Sequence, residues 1–344
     1  MTVSETTSIL KHPLEDILRM KGHRELVSIS VDASVGDALK MFTRHNLLAM
    51  PVYGQSHHSL PSGHKQYLGI VSILDIVMFV TYVASETDQQ PTTVIQTDKA
   101  PDFPRPNPLH QADTLESISI RSVLGKSSES ESLWTAKPND RLGDAIEPLG
   151  KGIHRLLVPM PISETAGYHV LTQTDVTRFI INHVDEDPQL KQRVSMSLVD
   201  LGLCTPKNLL WVDPSIPLID ALKGMASWGV NAIPVVSGKQ NSQRLLGTLS
   251  VSDLRMLPPR VDLYELIEEM KKLTVFEFLE RVRSGEVGSN GGVVVKKNDT
   301  LLHVATLIVN SHVHRAWIVD DSGRVPIGVV TFSDIMRTIL QTSH

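Results

Sequence analysis

Four carboxylates recur at one place in four copies of a short pattern: an apolar residue, Ser or Thr, two further residues, Asp, and an apolar residue. The copies are VSILDI (71–76), LTQTDV (171–176), LSVSDL (249–254) and VTFSDI (330–335). Their hydroxyls belong to Ser72, Thr172, Ser250 and Thr331, and their acids are Asp75, Asp175, Asp253 and Asp334. A hydroxyl followed three residues later by an acid, ahead of an apolar run, is a capping box: each side chain bonds the other's backbone N–H and closes a helix N-terminus. The same N-terminus is positively polarised and attracts phosphate or ribose groups, so capping and ligand binding are compatible. A second constellation consists of two His-Arg pairs, His154-Arg155 in KGIHRLLVP and His314-Arg315 in SHVHRAWIVDD. Each stands where a helix ends and a strand begins. The guanidinium is permanently charged and its planar donor fork matches phosphate oxygens. Imidazole adds charge-assisted bonds and gains a proton beside a phosphate. Basic residues also suit helix C-termini, so either pair alone decides little.

Helices and strands must position these groups. One helical stripe, apolar at i, i+3, i+4 and i+7, occurs four times: Val35/Ala38/Leu39/Phe42, Leu142/Ala145/Ile146/Leu149, Leu218/Ala221/Leu222/Met225 and Leu301/Val304/Ala305/Ile308. The first three copies carry Asp two residues into the stripe (Asp37, Asp144, Asp220) and the fourth carries His303. From stripe start to motif acid the spacing is 40, 33, 35 and 33 residues, the first copy being lengthened by GQSHHSLPSGHKQ at 54–66. Short β-rich runs lie between: AMPVY (49–53), LLVPM (156–160), AIPVV (232–236) and AWIVD (316–320). Upstream strands are expected at 26–30, 132–136, 209–213 and 292–296. Each unit therefore reads strand, helix, strand, strand, helix. A three-stranded sheet in so short a unit cannot cover both faces alone, so the units are expected to pair. The stretch 85–117, with Pro91, Pro101, Pro104, Pro106 and Pro108, reads as a long mobile loop. The segments 185–194 and 258–272 divide the later copies, the second partly helical.

Composition narrows the function. With 344 residues the chain can bury a core without staples. A net charge of −5 supplies no global basic field for nucleic acid or anionic lipid. The single Cys204 excludes a disulfide framework and any zinc site built on cysteine pairs, and reads as a buried or semi-buried thiol. Residues 67–84 approach a membrane span in length, but Asp75 sits at their centre and shorter versions recur three times, so they read as a strand followed by a helix. The opening MTVSETTSILKHPLEDI lacks a basic region before an apolar core, so no secretory signal is expected. His57, His58 and His64 cluster in the 54–66 insertion and read as an exposed polar loop, not a metal site. Trp134, Trp211, Trp228 and Trp317 read as packing residues, and no P-loop, dinucleotide fingerprint or HExxH is present.

Four βαββα copies ending in this motif resemble the CBS domain, and four in one chain resemble the γ subunit of AMP-activated protein kinase and its yeast and plant relatives. WTAKPNDRLGDAIEPLGKGIHRLLVP (134–159) is similar to the plant γ-like branch. The resemblance implies an α/β (α+β) fold of four CBS repeats forming two intramolecular pairs (Bateman modules) in a pseudo-symmetric disk. The expected units are 14–84, 118–184, 196–258 and 273–341. It implies a non-catalytic regulatory subunit binding AMP, ADP or ATP in clefts between repeats, with no obligatory cofactor. The motif acids Asp75, Asp175, Asp253 and Asp334 would accept the ribose diol, with Ser72, Thr172, Ser250 and Thr331 at the cleft mouths. His154, Arg155, His314 and Arg315 would grip phosphates at the centre. The implied partners are kinase catalytic (α) and scaffold (β) subunits, with no nucleic acid and no membrane, in the cytoplasm or nucleus. Two departures weaken the centre: Leu48 stands where the γ family usually has Arg in the first repeat, and the third copy has Asn231. A charged phosphate contact is worth about 1.5–3 kcal/mol. A scaffold with degenerate sites is therefore the competing expectation. In the other direction, all four acids are present, whereas many γ subunits lack one.

Overall fold

The computed structural model describes residues 9–21, 26–54, 65–87, 114–127, 130, 132–159, 167–204, 209–238, 243–256, 262–284 and 292–341. The His57/His58/His64 cluster and most of the expected 85–117 loop lie outside the described residues.

Unit one contains β1 (Ile29–Ser30), α2 (Val35–His45), β2 (Ala49–Gly54), β3 (Gln66–Ser72) and α3 (Ile73–Thr87), preceded by α1 (Leu14–Lys21). β1 runs parallel to β2, and β2 is antiparallel to β3. Unit two has α4 (Leu142–Gly150), the antiparallel pair β4 (Arg155–Pro159) and β5 (Tyr168–Thr172), and α5 (Gln173–His183). A short helix α6 (Pro188–Val194) leads on to unit three, with α7 (Leu218–Trp228), β6 (Ala232–Ser237) and β7 (Arg244–Ser250). After α8 (Leu263–Lys272) and α9 (Val275–Ser284), unit four has β8 (Val293–Lys296), α10 (Leu301–Asn310), β9 (Arg315–Val319), β10 (Pro326–Thr331) and α11 (Phe332–Leu340). β8 is parallel and β10 antiparallel to β9, which repeats the arrangement of unit one.

Two expectations need correction. The upstream strands at 132–136 and 209–213 shrink to single parallel bridges, Thr135 to Leu157 and Val212 to Val235. Four backbone bonds still tie these segments to β4 and β6: Ala136 N–H to the Leu157 carbonyl (3.0 Å), Leu157 N–H to the Trp134 carbonyl (2.9 Å), Val212 N–H to the Pro234 carbonyl (3.1 Å) and Val236 N–H to the Val212 carbonyl (2.9 Å). The second helix of unit three is a 3-10 segment, Val251–Met256, not an α-helix. Pro258 and Pro259 follow it, and proline disfavours α conformation in the residue before it.

The helical stripes behave as read. All sixteen stripe residues are buried, Leu39 and Ala305 being the least so at 5% and 4% exposed. Local chemistry ends the helices. Ser34 and Asp37 form a capping box on α2, and Asn46 closes it in the left-handed region at φ 52°. Gly229 does the same for α7 at φ 60°. Removing the Ser34 hydroxyl is expected to cost about 1 kcal/mol; Ser34→Ala should lower the urea midpoint with an unchanged slope.

The stripes build two cores. Units one and three share the first, where α2 and α3 meet α7 and the 3-10 segment. Units two and four share the second, where α4 and α5 meet α10 and α11. The sheets make the complementary contacts. Tyr67 on β3 meets Tyr168 on β5 edge to face, with ring centroids 5.3 Å apart, joining units one and two. The Trp317 indole donates to Thr248 Oγ1 at 2.8 Å and Leu245 N–H to the Arg324 carbonyl at 2.9 Å, joining units three and four. Four units thus close a cycle, helix to helix on one pair of joints and sheet to sheet on the other.

The sheet-joined pairs also exchange their lead-in segments. Pro13, just before α1, bridges to Arg141 of unit two, while Ser119 bridges back to Ser34 of unit one. Ser197 bridges to Thr300 of unit four, while Thr274 bridges back to Pro217 of unit three. α1, expected inside unit one, therefore packs Leu14, Ile17 and Leu18 into the second core. Leu115, expected in a mobile loop, is 1% exposed in the first core. Residues 67–84 form β3 and most of α3, and no helix among the described residues is long and apolar enough to cross a membrane.

Candidate functional site

Where the four units meet, the strand ends and helix termini enclose a cavity of about 670 Å³, lined by residues of every unit. Unit one contributes Leu48, Ala49 and the end of α2; unit two, Arg155 and Thr172; unit three, Ser250 and Arg255; unit four, His314, Arg315 and Trp317. The ionisable side chains on its wall are Lys21, His45, Arg155, Tyr168, His169, Arg255, His312, His314 and Arg315, and no Asp or Glu is among the lining residues. Such a wall attracts anions, and a low-dielectric surround strengthens the field inside it.

Three of the four His-Arg side chains reach this wall. Arg155 and Arg315 begin β4 and β9, where the strand leaves the disk centre, and His314 precedes Arg315. His154 is half-buried outside the lining, and its carbonyl accepts the Gln173 N–H at 3.2 Å. Arg315 is the most informative. Its Nη1 donates to the Ala232 carbonyl at 3.2 Å, and among the described residues no carboxylate pairs with it. Burial pushes its pKa down to about 10. A desolvated guanidinium with one neutral acceptor has donors left over.

The four motif acids differ in what already engages them. Thr172/Asp175 and Thr331/Asp334 form complete capping boxes on α5 and α11. Asp175 Oδ2 also takes Lys21 Nζ at 2.8 Å, and Asp334 Oδ1 takes the Arg337 guanidinium. Asp75 is fully buried: Oδ2 accepts Ser72 N–H and Oγ at 2.7 and 2.6 Å, while Oδ1 accepts Ser127 N–H at 2.7 Å and Ser130 Oγ. Burial pushes Asp75 up, against the serine hydrogen bonds that pull it down. Asp253 is the exception. Its Oδ2 accepts Ser250 N–H at 3.0 Å but not the Ser250 hydroxyl, which turns to the Asn231 carbonyl in the shorter 3-10 geometry. Burial pushes Asp253 up to about 6, against hydrogen bonds from Ser250 and Ser252 and the nearby Arg255 charge. Of the four hydroxyls, Thr172 and Ser250 line the cavity, while Ser72 and Thr331 do not.

Lys21 and Arg255 are cavity cations that sequence reasoning missed. Lys21 ends α1, 154 residues from Asp175, and only the exchanged lead-in brings it there. Arg255 lies two residues beyond a motif acid, a spacing that was available as a signal. It donates to the Asn46 side chain and to the Ser252 carbonyl at 3.0 Å, tying unit three to unit one. Leu48, the departure in unit one, lines the cavity where a further cation was expected.

The CBS domain matches residues 14–82, 203–260 and 286–341, more than half of the chain. The chain belongs to the CBS-domain family. Unit two, outside those matches, has the same helix, hairpin and capped helix as its CBS neighbours. Among curated relatives, the Arabidopsis thaliana SNF1-related protein kinase regulatory subunit gamma-like PV42a is 26% identical over 93% of this chain and 93% of its own length. The SNF1-related protein kinase regulatory subunit gamma-1 of the same plant is 20% identical over 91% of this chain and 78% of its own. A solved protein from Methanocaldococcus jannaschii, described as a candidate archaeal homologue of the AMP-activated kinase γ subunit, superimposes with a TM-score of 0.63 at 18% identity, over 92% of this chain and 98% of its own. That likeness fixes the four-repeat fold. These relatives are regulatory subunits, and no enzyme family is indicated.

Proposed function

We propose that this CBS chain is a non-catalytic, γ-like regulatory subunit of a Ser/Thr kinase complex that binds adenine nucleotides in its central cavity. The observation that carries the reading is Arg315: a half-buried guanidinium without a carboxylate partner among the described residues, on the wall of a cavity of about 670 Å³ whose lining holds no Asp or Glu. Phosphates would lie against Arg155, His314 and Arg315. The ribose diol would go to Asp253, next to the cavity-lining Ser252 and near Arg255, whose carboxylate is held by Ser250 and Ser252 of its own motif and by no further donor among the described residues. A carboxylate offers about four acceptor sites and suits two adjacent hydroxyls. AMP, ADP and ATP would compete there, and their different charge would change the contacts made with catalytic (α) and scaffold (β) subunits. That coupling is a difference in binding free energy between states, not a chemical step. Names of relatives covering nearly the whole chain support the kinase assignment. Isothermal titration with AMP, ADP and ATP tests it. Saturable heats are expected for at least one nucleotide, weakened by Arg315→Ala; no heat with any of the three refutes it.

One observation favours a second reading, a CBS scaffold. Asp75, Asp175 and Asp334 are already engaged by other side chains of this chain. A kinase complex that assembles equally well with and without nucleotide, and with Arg315→Ala, would decide for the scaffold.

A further inference from the structure

Unit one differs from the others in what covers its motif. The segment after its lead-in 3-10 turn, Ile120–Ser122, is anchored by fully buried Ile120 and Val123. Leu124, Ser127 and Ser130 then lie against the end of β3 and the start of α3. At β3, Gly69 lies under Leu124 and Ser130: a Cβ there would stand 3.2 Å from Leu124 Cδ1 and 3.5 Å from the Ser130 carbonyl oxygen. At α3, Ser127 N–H and Ser130 Oγ both donate to Asp75 Oδ1. Ser127 and Ser130 are 2% and 3% exposed. They also hold each other, Ser130 Oγ accepting from Ser127 N–H at 3.2 Å and from the Ser127 hydroxyl at 3.3 Å. Gly69 and the motif acid of unit one are thus covered together by residues more than 50 positions away in sequence.

The donors are also the right kind. A vicinal diol presents two adjacent donors to a carboxylate. Ser127 N–H and Ser130 O–H present two adjacent donors to the same carboxylate oxygen, while Ser72 satisfies the other. A buried carboxylate with all its bonds made is far less costly than one left open, so the contact stabilises the closed cleft.

We propose that Leu124, Ser127 and Ser130 form a tethered internal occupant of the unit-one cleft, a diol mimic that keeps Asp75 from a ribose until the segment is displaced. This rests on the nucleotide reading above. Leu124 is the apolar anchor, packed against the first core. The two serines supply the polar recognition. Negative charge at Ser130 is incompatible with the seat, because two carboxylates cannot share that dry space without one taking a proton. Among the described residues the unit-three acid has no such cover, since Asp253 accepts from Ser250 and Ser252 of its own motif. Nucleotide capacity is therefore set by the occupant as well as by the motif acids.

The test uses the full chain as wild type, Ser130→Ala and Ser130→Glu, with two readouts: amide exchange at Ser127, and the number of ATP molecules bound per chain by native mass spectrometry. In wild type the Ser127 amide should be protected. In Ser130→Glu its protection should fall at least tenfold, with the amides of α2 and α7 unchanged, and the ATP count should rise by one. Ser130→Ala should lose part of the protection. A Ser127 amide that exchanges in wild type like a free loop overturns the occupant. Released protection with an unchanged, non-zero ATP count overturns the claim that it masks a nucleotide cleft. No ATP on any form, with Ser127 protected, fails the nucleotide reading itself and removes the cleft's ligand with it.

Discussion

Arg315→Met should weaken ATP binding by about 10- to 100-fold and yet raise the melting temperature of the nucleotide-free protein. The two effects have one cause. The guanidinium is largely desolvated and has the Ala232 carbonyl as its hydrogen-bond partner among the described residues, and desolvation pushes its pKa down to about 10. For a base, a folded pKa below the unfolded one means that the charged form disfavours folding. The penalty is absent above the unfolded pKa, grows as pH falls from there to about 10, and is complete at every lower pH, including neutrality. Methionine retains much of the stem's packing without the charge. Allowing for the lost hydrogen bond, the empty protein should gain roughly 1–3 kcal/mol at pH 7. With ligand the sign reverses. A phosphate facing Arg315 supplies the missing counter-charge, and losing a charge-assisted bidentate contact of about 1.5–3 kcal/mol accounts for the affinity change. Scanning calorimetry with and without 1 mM ATP separates them. The variant should start higher and gain less. A variant that melts lower without ATP would show that Arg315 stabilises the empty fold, contrary to its surroundings.

What could be read in advance follows from the range of the interactions. The helical stripes depend on spacing within eight residues, and every one is buried. The Ser/Thr-x-x-Asp motifs depend on spacing within four, and Thr172/Asp175 and Thr331/Asp334 form the expected boxes. The fourfold repetition then dictates pairing, because each unit leaves a face uncovered. Long-range events left no local trace. Nothing around Lys21 announces Asp175, since α1 reaches it only by packing on the neighbouring unit. Nothing around Ser127 or Ser130 announces Asp75. The missing upstream strands in units two and three have a different origin. Trp134 and Trp211, rich in β propensity, stand beside single bridges and remain nearly half exposed, so propensity suggested strands that the sheet edge pairs only at one point. His154 and Arg155, although adjacent, also part: only the arginine lines the cavity, whereas at the equivalent place in unit four His314 and Arg315 both do.

Asp253→Asn brings the same opposition of stability and binding to the ribose end. Asp253 is buried and accepts Ser250 N–H, and its pKa rises from 3.8 to about 6. For an acid raised in the folded state, the ionised form disfavours folding. That penalty is absent below the unfolded pKa, grows as pH rises from about 4 to 6, and is complete above 6. Asparagine keeps an oxygen for Ser250 N–H and carries no charge, so the variant should be roughly 1–3 kcal/mol more stable than wild type at pH 7.5. The gain should vanish near pH 4. Its binding should move the other way. An ionised carboxylate accepts both hydroxyls of a diol, whereas an amide offers one acceptor and two donors. Affinity for AMP should fall at least tenfold at pH 7.5. Wild-type affinity should itself decline as pH drops through 6, and the variant should lack that decline. Urea melts at pH 4 and 7.5, with AMP titrations at pH 5.5 and 7.5, test both arms. A pH-independent stability difference would place the carboxylate in contact with water, and an unchanged AMP affinity would move the ribose to another acid of the ring.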